Sequence, residues 1–190
     1  MDALDTLKEE HRVIDLVLVA WKHAMQKRAK GRTVPPRFFF DSLDFLRVFV
    51  ENYHCKREEI LFKWAQKRGL SGGLIRMLLE GHEEGHRMFI SVQNVTQIPS
   101  EDQLMLNDFV SAGNAYVEFK EQHIIFERNA LYPAFTQMTF FASESELDEL
   151  TRSMDMVVKN IDADVLVKGL SKYYLSMAET LEALEKKMKR

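Results

Sequence analysis

The sequence predicts an all-α fold: an up-down-up-down four-helix bundle followed by additional C-terminal helices. Three observations carry this. Apolar residues recur at three- and four-residue spacing along stretches of about twenty residues and more, the period of a buried helix face. Only 8 glycines and 4 prolines punctuate the 190 residues, which suits long helices joined by short turns. The strongest breaks, at Gly31 with Pro35-Pro36, at Gly69 to Gly73 and at Ile98-Pro99, cut the chain before residue 135 into four segments.

The first helix is expected from about Leu4 to Lys30, with Leu4, Leu7, His11, Ile14, Leu18, Trp21 and Met25 on one stripe. Gly31 is a natural residue just past a helix end, and Pro35-Pro36 cannot lie in a helix interior. The second runs from near Pro36 to just before Gly69, its inward stripe being Leu43, Leu46, Val50, His54, Glu58, Leu61 and Ala65. After the turn Leu70-Ser71-Gly72-Gly73, the third begins near Leu74 and carries Ile75, Leu78, Leu79, His82, His86, Phe89 and Gln93 on one face. Ile98-Pro99-Ser100 breaks it. Ser100 and Gln103 have capping-box spacing and start the fourth, in which Phe109, Tyr116, Phe119, His123, Glu127 and Leu131 lead to a stop at Pro133. Beyond residue 140, the run Ser143-Glu144-Ser145-Glu146 caps a short helix over about 144 to 159. A last helix over about 162 to 188 shows a stripe from Leu170 through Tyr174, Met177, Leu181 and Leu184 to Met188. The domain reading is a bundle over 1–135 and a helical appendage over 136–190, packed on the bundle or forming a homodimer contact.

Composition narrows the function. Hydrophobic residues make up 46% of the chain, enough for a large core, and no apolar run approaches the roughly 18 residues that span a membrane. The acidic start lacks the features of a signal peptide. The single cysteine, Cys55, excludes an internal disulfide and suits a reducing compartment, so a cytoplasmic protein is expected. A net charge of −3 argues against nucleic acid as a partner. The short basic clusters at Lys27 to Arg32 and Lys186 to Arg190 fall at helix C-termini, where cations offset the macrodipole.

Five of the six histidines join two glutamates in one pattern: His11, His54 with Glu58, His82 with His86, and His123 with Glu127. Three of these groups are i, i+4 pairs. Four residues turn a helix by about 400° and raise it by about 6 Å, so both members of each pair point the same way. A lone His-x-x-x-Glu is usually a surface pair, and a lone histidine on an apolar face is usually a hydrogen-bonded core residue. Four such groups on four successive inward stripes are different, because unpaired histidines and carboxylates in one core would be costly without metal. Helix lengths support convergence. His11 and His54 lie about 28 and 27 Å from the first turn, and Glu58 and His54 match His82 and His86 in height across the second. The fourth helix fits less well: His123 lies about 16 Å too far from Ser100. Either that helix starts later or residues 97–108 make a detour.

The donor types suit iron, with zinc or manganese as substitutes. Two six-coordinate ions offer twelve positions. Five imidazoles, two bridging carboxylates and one bridging oxide or hydroxide fill eleven, which leaves one position open for a small diatomic ligand. His23 stands outside the pattern as a surface bystander. Cys55 is turned about 100° from His54 and reads as a packing residue. Glu59 is a candidate outer partner. Tyr116, two turns before His123 on the same face, lines the ligand pocket or packs the core.

On these residues the chain resembles the hemerythrin-like family, also called HHE cation-binding domains. The matching segments are Glu10-His11, His54-Cys55-Lys56-Arg57-Glu58-Glu59 with Leu61-Phe62, His82-Glu83-Glu84-Gly85-His86, and His123-Ile124-Ile125-Phe126-Glu127 with Leu131-Tyr132-Pro133. The likeness covers about 1–135. It implies a non-haem di-iron centre binding oxygen or nitric oxide, held by His11, His54, Glu58, His82, His86, His123 and Glu127. Oxygen-carrying members end in His-x-x-x-x-Asp, whereas His123-x-x-x-Glu127 is the form common in bacterial sensing and stress-response members. Cys55 stands where many relatives have a second histidine. The leading expectation is therefore reversible ligand binding for sensing, storage or stress defence. One rival is an oxidoreductase acting on peroxide or nitric oxide, or repairing iron centres. The other is an interaction module with a mainly structural metal.

Overall fold

The computed structural model of the chain describes residues 3–96 and 103–159, and every regular element among them is helical. Helix α1 spans Ala3–Ala29. The second rod is continuous but changes winding twice, from α2 (Pro36–Phe45) through a π-helical stretch, π1 (Leu46–His54), into α3 (Cys55–Lys67). Helix α4 spans Gly72–Thr96. The fourth rod runs from α5 (Gln103–Phe126) through a second π turn, π2 (Glu127–Leu131), into α6 (Tyr132–Phe140). Helix α7 (Glu144–Lys159) comes next.

Cross-helix pairs show the alternating direction of the rods. Asp15 and Lys22 on α1 meet Arg128 and Glu121 on the fourth rod, so the later residue of α1 meets the earlier residue of its neighbour. Likewise Glu59 and Glu51 of the second rod meet His82 and His86 of α4. Each neighbouring pair runs antiparallel, as short turns require.

Pro133 does not end the fourth rod. The chain passes through it into α6, because the proline falls in the first turn of that segment, where its missing N–H costs little. The preceding π turn, closed by Tyr132 N–H donating to Glu127 C=O, resets the backbone before it. The register of the third and fourth helices is set where both are described: α4 and α5 pair through Gly81 with His123 and Phe89 with Tyr116. Carried along both helices, that register sets Thr96 opposite residue 108 or 109, and Phe109 packs on Trp21 and Phe39. The expected break at Ile98-Pro99-Ser100, with Ser100 as the cap, lies outside the described residues, as does the last helix with its stripe and dimer contact.

Two apolar clusters fill the bundle. One holds Ile14, Leu18, Trp21, Met25, Leu46, Val50, Phe89, Tyr116 and Ile124. The other holds Leu4, Leu7, Leu61, Phe62, Leu78, Leu131 and Phe135, together with Leu150 and Met154 of α7. Between them, each rod contributes buried polar residues: Glu10 and His11, His54 and Glu58, His82, and Lys120 and Glu127. The described part of the appendage thus caps the lower cluster. Its start is held by the reciprocal bonds of a capping box: Ser143 N–H donates to Glu146 Oε2 at 2.9 Å, and Glu146 N–H donates to Ser143 Oγ at 3.4 Å.

Leu150 and Met154 are 3% and 0% exposed. Each substitution to Ala is expected to destabilise the metal-free chain by about 2–5 kcal/mol, read from thermal or denaturant unfolding. Changes below about 0.5 kcal/mol, the size of surface effects, would show that α7 is no part of the core.

Candidate metal centre

Six of the seven side chains singled out from the sequence converge between the two apolar clusters. His11, His54 and Glu58 form one group whose ligand atoms lie within 4.8 Å of one another, and His82, His123 and Glu127 form another. The carboxylates link the groups. Glu58 Oε1 lies 3.3 Å from His11 Nε2, while its Oε2 lies 3.2 Å from His54 Nε2 and 3.3 Å from His82 Nε2. Glu127 Oε2 lies 3.2 Å from His11 Nε2, while its Oε1 lies 2.9 Å from His123 Nε2 and 3.5 Å from His82 Nε2. Each carboxylate therefore faces imidazoles of both groups.

These close approaches are not hydrogen bonds of good geometry. Glu58 Oε1, both nitrogens of His82, His123 Nε2 and both oxygens of Glu127 are buried without a hydrogen-bond partner. Buried polar atoms are normally satisfied, so a cluster of orphans calls for something between them. A cation fits. Two ligand atoms bound at about 2.1 Å and at right angles sit about 3.0 Å apart, close to the separations seen here.

The electrostatics agree. Burial by itself would lower the His54 pKa, but the Glu58 and Glu10 carboxylates reverse this and raise it to about 10. His82 is raised to about 9 against the same burial effect by Glu127 and Glu58. Burial would raise both glutamates, yet the surrounding imidazoles hold Glu58 and Glu127 well below the usual carboxylate range. A cation would compete with protons for the same imidazole and carboxylate atoms.

An outer ring orients the imidazoles. Glu10 Oε2 accepts from His54 Nδ1 at 2.8 Å, and Glu10 is itself paired with Arg57, which also donates to Tyr53 Oη at 2.7 Å. Tyr132 Oη lies 2.7 Å from His11 Nδ1, which leaves Nε2 facing the carboxylates. Such partners fix ring orientation and raise ligand basicity. Glu59 Oε1 is 4.0 Å from His82 Nδ1, too far for a hydrogen bond. His123 stacks on Phe119 and packs against Gly81, where a Cβ would come within 2.4 Å of the ring.

The other candidates separate. His86 is not gathered with the six: its side chain is 58% exposed and its Nδ1 lies 3.0 Å from Glu51 Oε2. His23 is exposed. Tyr116 is fully buried in the upper cluster, with its hydroxyl lacking a partner. Cys55 is closer to the centre than a packing residue would be, since its Sγ lies within 4.8 Å of ligand atoms of Glu58 and His82. The 100° turn from His54 is the reason. His54 faces α1, its ring 4.7 Å from that of His11 and tilted to it, while Cys55 lies beside His82 of α4. Burial pushes the Cys55 thiol up, so it stays protonated. Sequence reading missed the roles of Glu10, Arg57, Tyr132, Glu51, Lys120 and Gly81. The available signal was charge on a buried stripe: Glu51 lies one and two turns before Cys55 and Glu58, and Lys120 one turn before His123.

Gly81→Ala is expected to displace the His123 ring and lower metal content by up to one ion per chain, with the helical circular dichroism unchanged. Full metal content would show that the ring can give way at no cost.

Among the described residues no helix is long and apolar enough to cross a membrane. Searches of curated proteins and of solved structures found no match. The family comparison is positive: residues 2–135 match the model described as hemerythrin HHE cation binding domain. That stretch includes every residue of the cluster and of its outer ring, and the chain belongs to the hemerythrin HHE cation-binding family.

Proposed function

We propose that this chain is a non-haem di-iron protein that reversibly binds a small diatomic ligand, oxygen or nitric oxide, for sensing, storage or a response to oxidative or nitrosative stress in the cytoplasm. The observation that carries this reading is the cluster of orphaned, mutually facing imidazole and carboxylate atoms in the bundle centre. His11 and His54 would hold one ion and His82 and His123 the other, with Glu58 and Glu127, which face imidazoles of both groups, shared between them. Imidazole with carboxylate suits iron; zinc and manganese accept the same donors. When bound, the iron pair supplies electrons and an open position for the small ligand.

The chain's own residues do the rest. Glu10 and Tyr132 hold the rings of His54 and His11 in place. The two apolar clusters close off both ends of the site from water. Rigid placement with excluded water favours reversible binding over side reactions. His86 would complete the proposed ligand set; its ring is exposed here, with Nδ1 held by Glu51, and would have to turn inward to join the other six.

Growth in iron-supplemented medium followed by metal analysis is expected to give about two iron ions per chain. The absorption spectrum of anaerobically reduced protein should change reversibly on exposure to oxygen or nitric oxide. Glu58→Ala and Glu127→Ala should each lose more than one ion's worth of binding, and His11→Ala at most one. A single ion, or a closed tetrahedral zinc site, would sink the binuclear reading. Unchanged loading in His86→Ala would remove His86 from the set.

A further inference from the structure

The polar layer holds one sulfur that the ligand pattern leaves unused. Cys55 Sγ lies within 4.8 Å of ligand atoms of Glu58 and His82, and all three residues are buried. Both nitrogens of His82 and Oε1 of Glu58 have no hydrogen-bond partner, so this third donor group contains the same kind of orphaned atom as the other two. His82 is 7% exposed and Glu58 1%.

Local winding puts the thiol there. His54 closes π1 and Cys55 opens α3. They precede Glu58 by four and three residues, so each lies one turn from it, on either flank of its carboxylate. His54 takes the side of His11, and Cys55 the side of His82. Glu58 Oε2 spans the same two sides, at 3.2 Å from His54 Nε2 and 3.3 Å from His82 Nε2. Sulfur at about 2.3 Å and nitrogen at about 2.1 Å from one ion stand about 3 Å apart at right angles and about 4.4 Å apart when opposed. The span of the Cys55 group is of that order.

The donor count points the same way. The sequence pattern gives the ion at His82 a further imidazole, His86, but that ring is exposed with Nδ1 on Glu51. Cys55, by contrast, is 5% exposed and already inside. A counter-charge for a thiolate is also at hand. Lys120 is 2% exposed, its charge acts on Cys55, and its partner Glu51 is shared with His86. We propose that Cys55 is a metal ligand, its thiolate binding the ion held by His82 and His123 in the place that the sequence pattern assigns to His86. This rests on the binuclear reading and changes its donors from five imidazoles to four imidazoles and one thiolate. The metal-free thiol keeps its proton; as the metal–sulfur bond forms, that proton leaves to solvent. A thiolate on one ion of the pair makes that position softer than its neighbour.

The probe is cobalt(II), titrated into metal-free protein under anaerobic conditions, with bound cobalt counted in every sample. The parent is expected to take two ions and to show a thiolate-to-cobalt charge-transfer band, which in a chain with 1 cysteine belongs to Cys55. Cys55→Ser and Cys55→Ala should lose the band and bind one of the two ions tenfold or more weakly, at least what loss of an outer partner costs. His86→Ala should keep the band. X-ray absorption at the cobalt edge of the parent should show sulfur at about 2.3 Å, a measurement that needs no variant to fold. Two bound ions without the band and without that sulfur would overturn the proposal, as would a band that survives in Cys55→Ser or disappears in His86→Ala at full loading. A single bound ion with the band would overturn the binuclear reading and leave the thiolate ligand standing. No bound ion would overturn both.

Discussion

The structure turns on two carboxylates buried in the middle of an apolar bundle. Glu58 and Glu127 are 1% and 0% exposed and face each other's imidazoles across the bundle axis. Charges taken out of water at this depth cost several kcal/mol each unless they are paired and coordinated. Four rods converge to do that pairing, each bringing one or two basic nitrogens to the same height. Everything else in the bundle is arranged so that this polar layer can exist: apolar clusters above and below it, and a ring of charged or hydroxylic residues fixing the imidazoles from outside.

That ring uses stacked layers of compensation. His54 needs Glu10, Glu10 is balanced by Arg57, and Arg57 reaches Tyr53 and, at 3.7 Å, Asp155 of α7. Burial and the Glu10 charge push the Tyr53 hydroxyl up to about 12, so it stays neutral where it accepts from Arg57. The appendage is thereby joined to the polar layer as well as to the lower apolar cluster. On the opposite side Glu51 plays the matching part for Lys120 and His86. The centre is therefore asymmetric. The side near His11 and His54 carries Tyr132 and Glu10, whereas the other side carries the buried Lys120–Glu51 pair and an exposed His86.

Both departures from regular winding fall where ligand residues sit. π1 ends at His54, with Cys55 N–H donating to Val50 C=O, and π2 begins at Glu127. A π turn inserts an extra residue, loosens the ladder and rotates the downstream part of the helix, and such turns gather at functional sites for that reason. Here they adjoin Glu58 and Glu127, which face the shared imidazoles of His11 and His82 from opposite rods, and the second lets the fourth rod continue through Pro133. Period alone does not reveal them, since one extra residue in a long apolar stripe leaves the pattern of apolar positions nearly intact.

The order of helices, their stripes and the levels of His11, His54, Glu58 and His82 were legible in the sequence, because helical periodicity and rise are local and uniform. The ligand pattern was legible because i, i+4 spacing survives a small change in winding. Tertiary structure decided the rest. The register of α5 on α4 depends on how they pack through Gly81 and His123, which no helix length encodes. The place of Glu10, Arg57, Tyr132 and Lys120 depends on which rods become neighbours, and a charged residue on a buried stripe does not name the group that will meet it from 40 to 120 residues away in sequence. His86 shows the limit most clearly: its spacing from His82 allows it to join the cluster, yet its side chain lies exposed with Nδ1 on Glu51 of another rod.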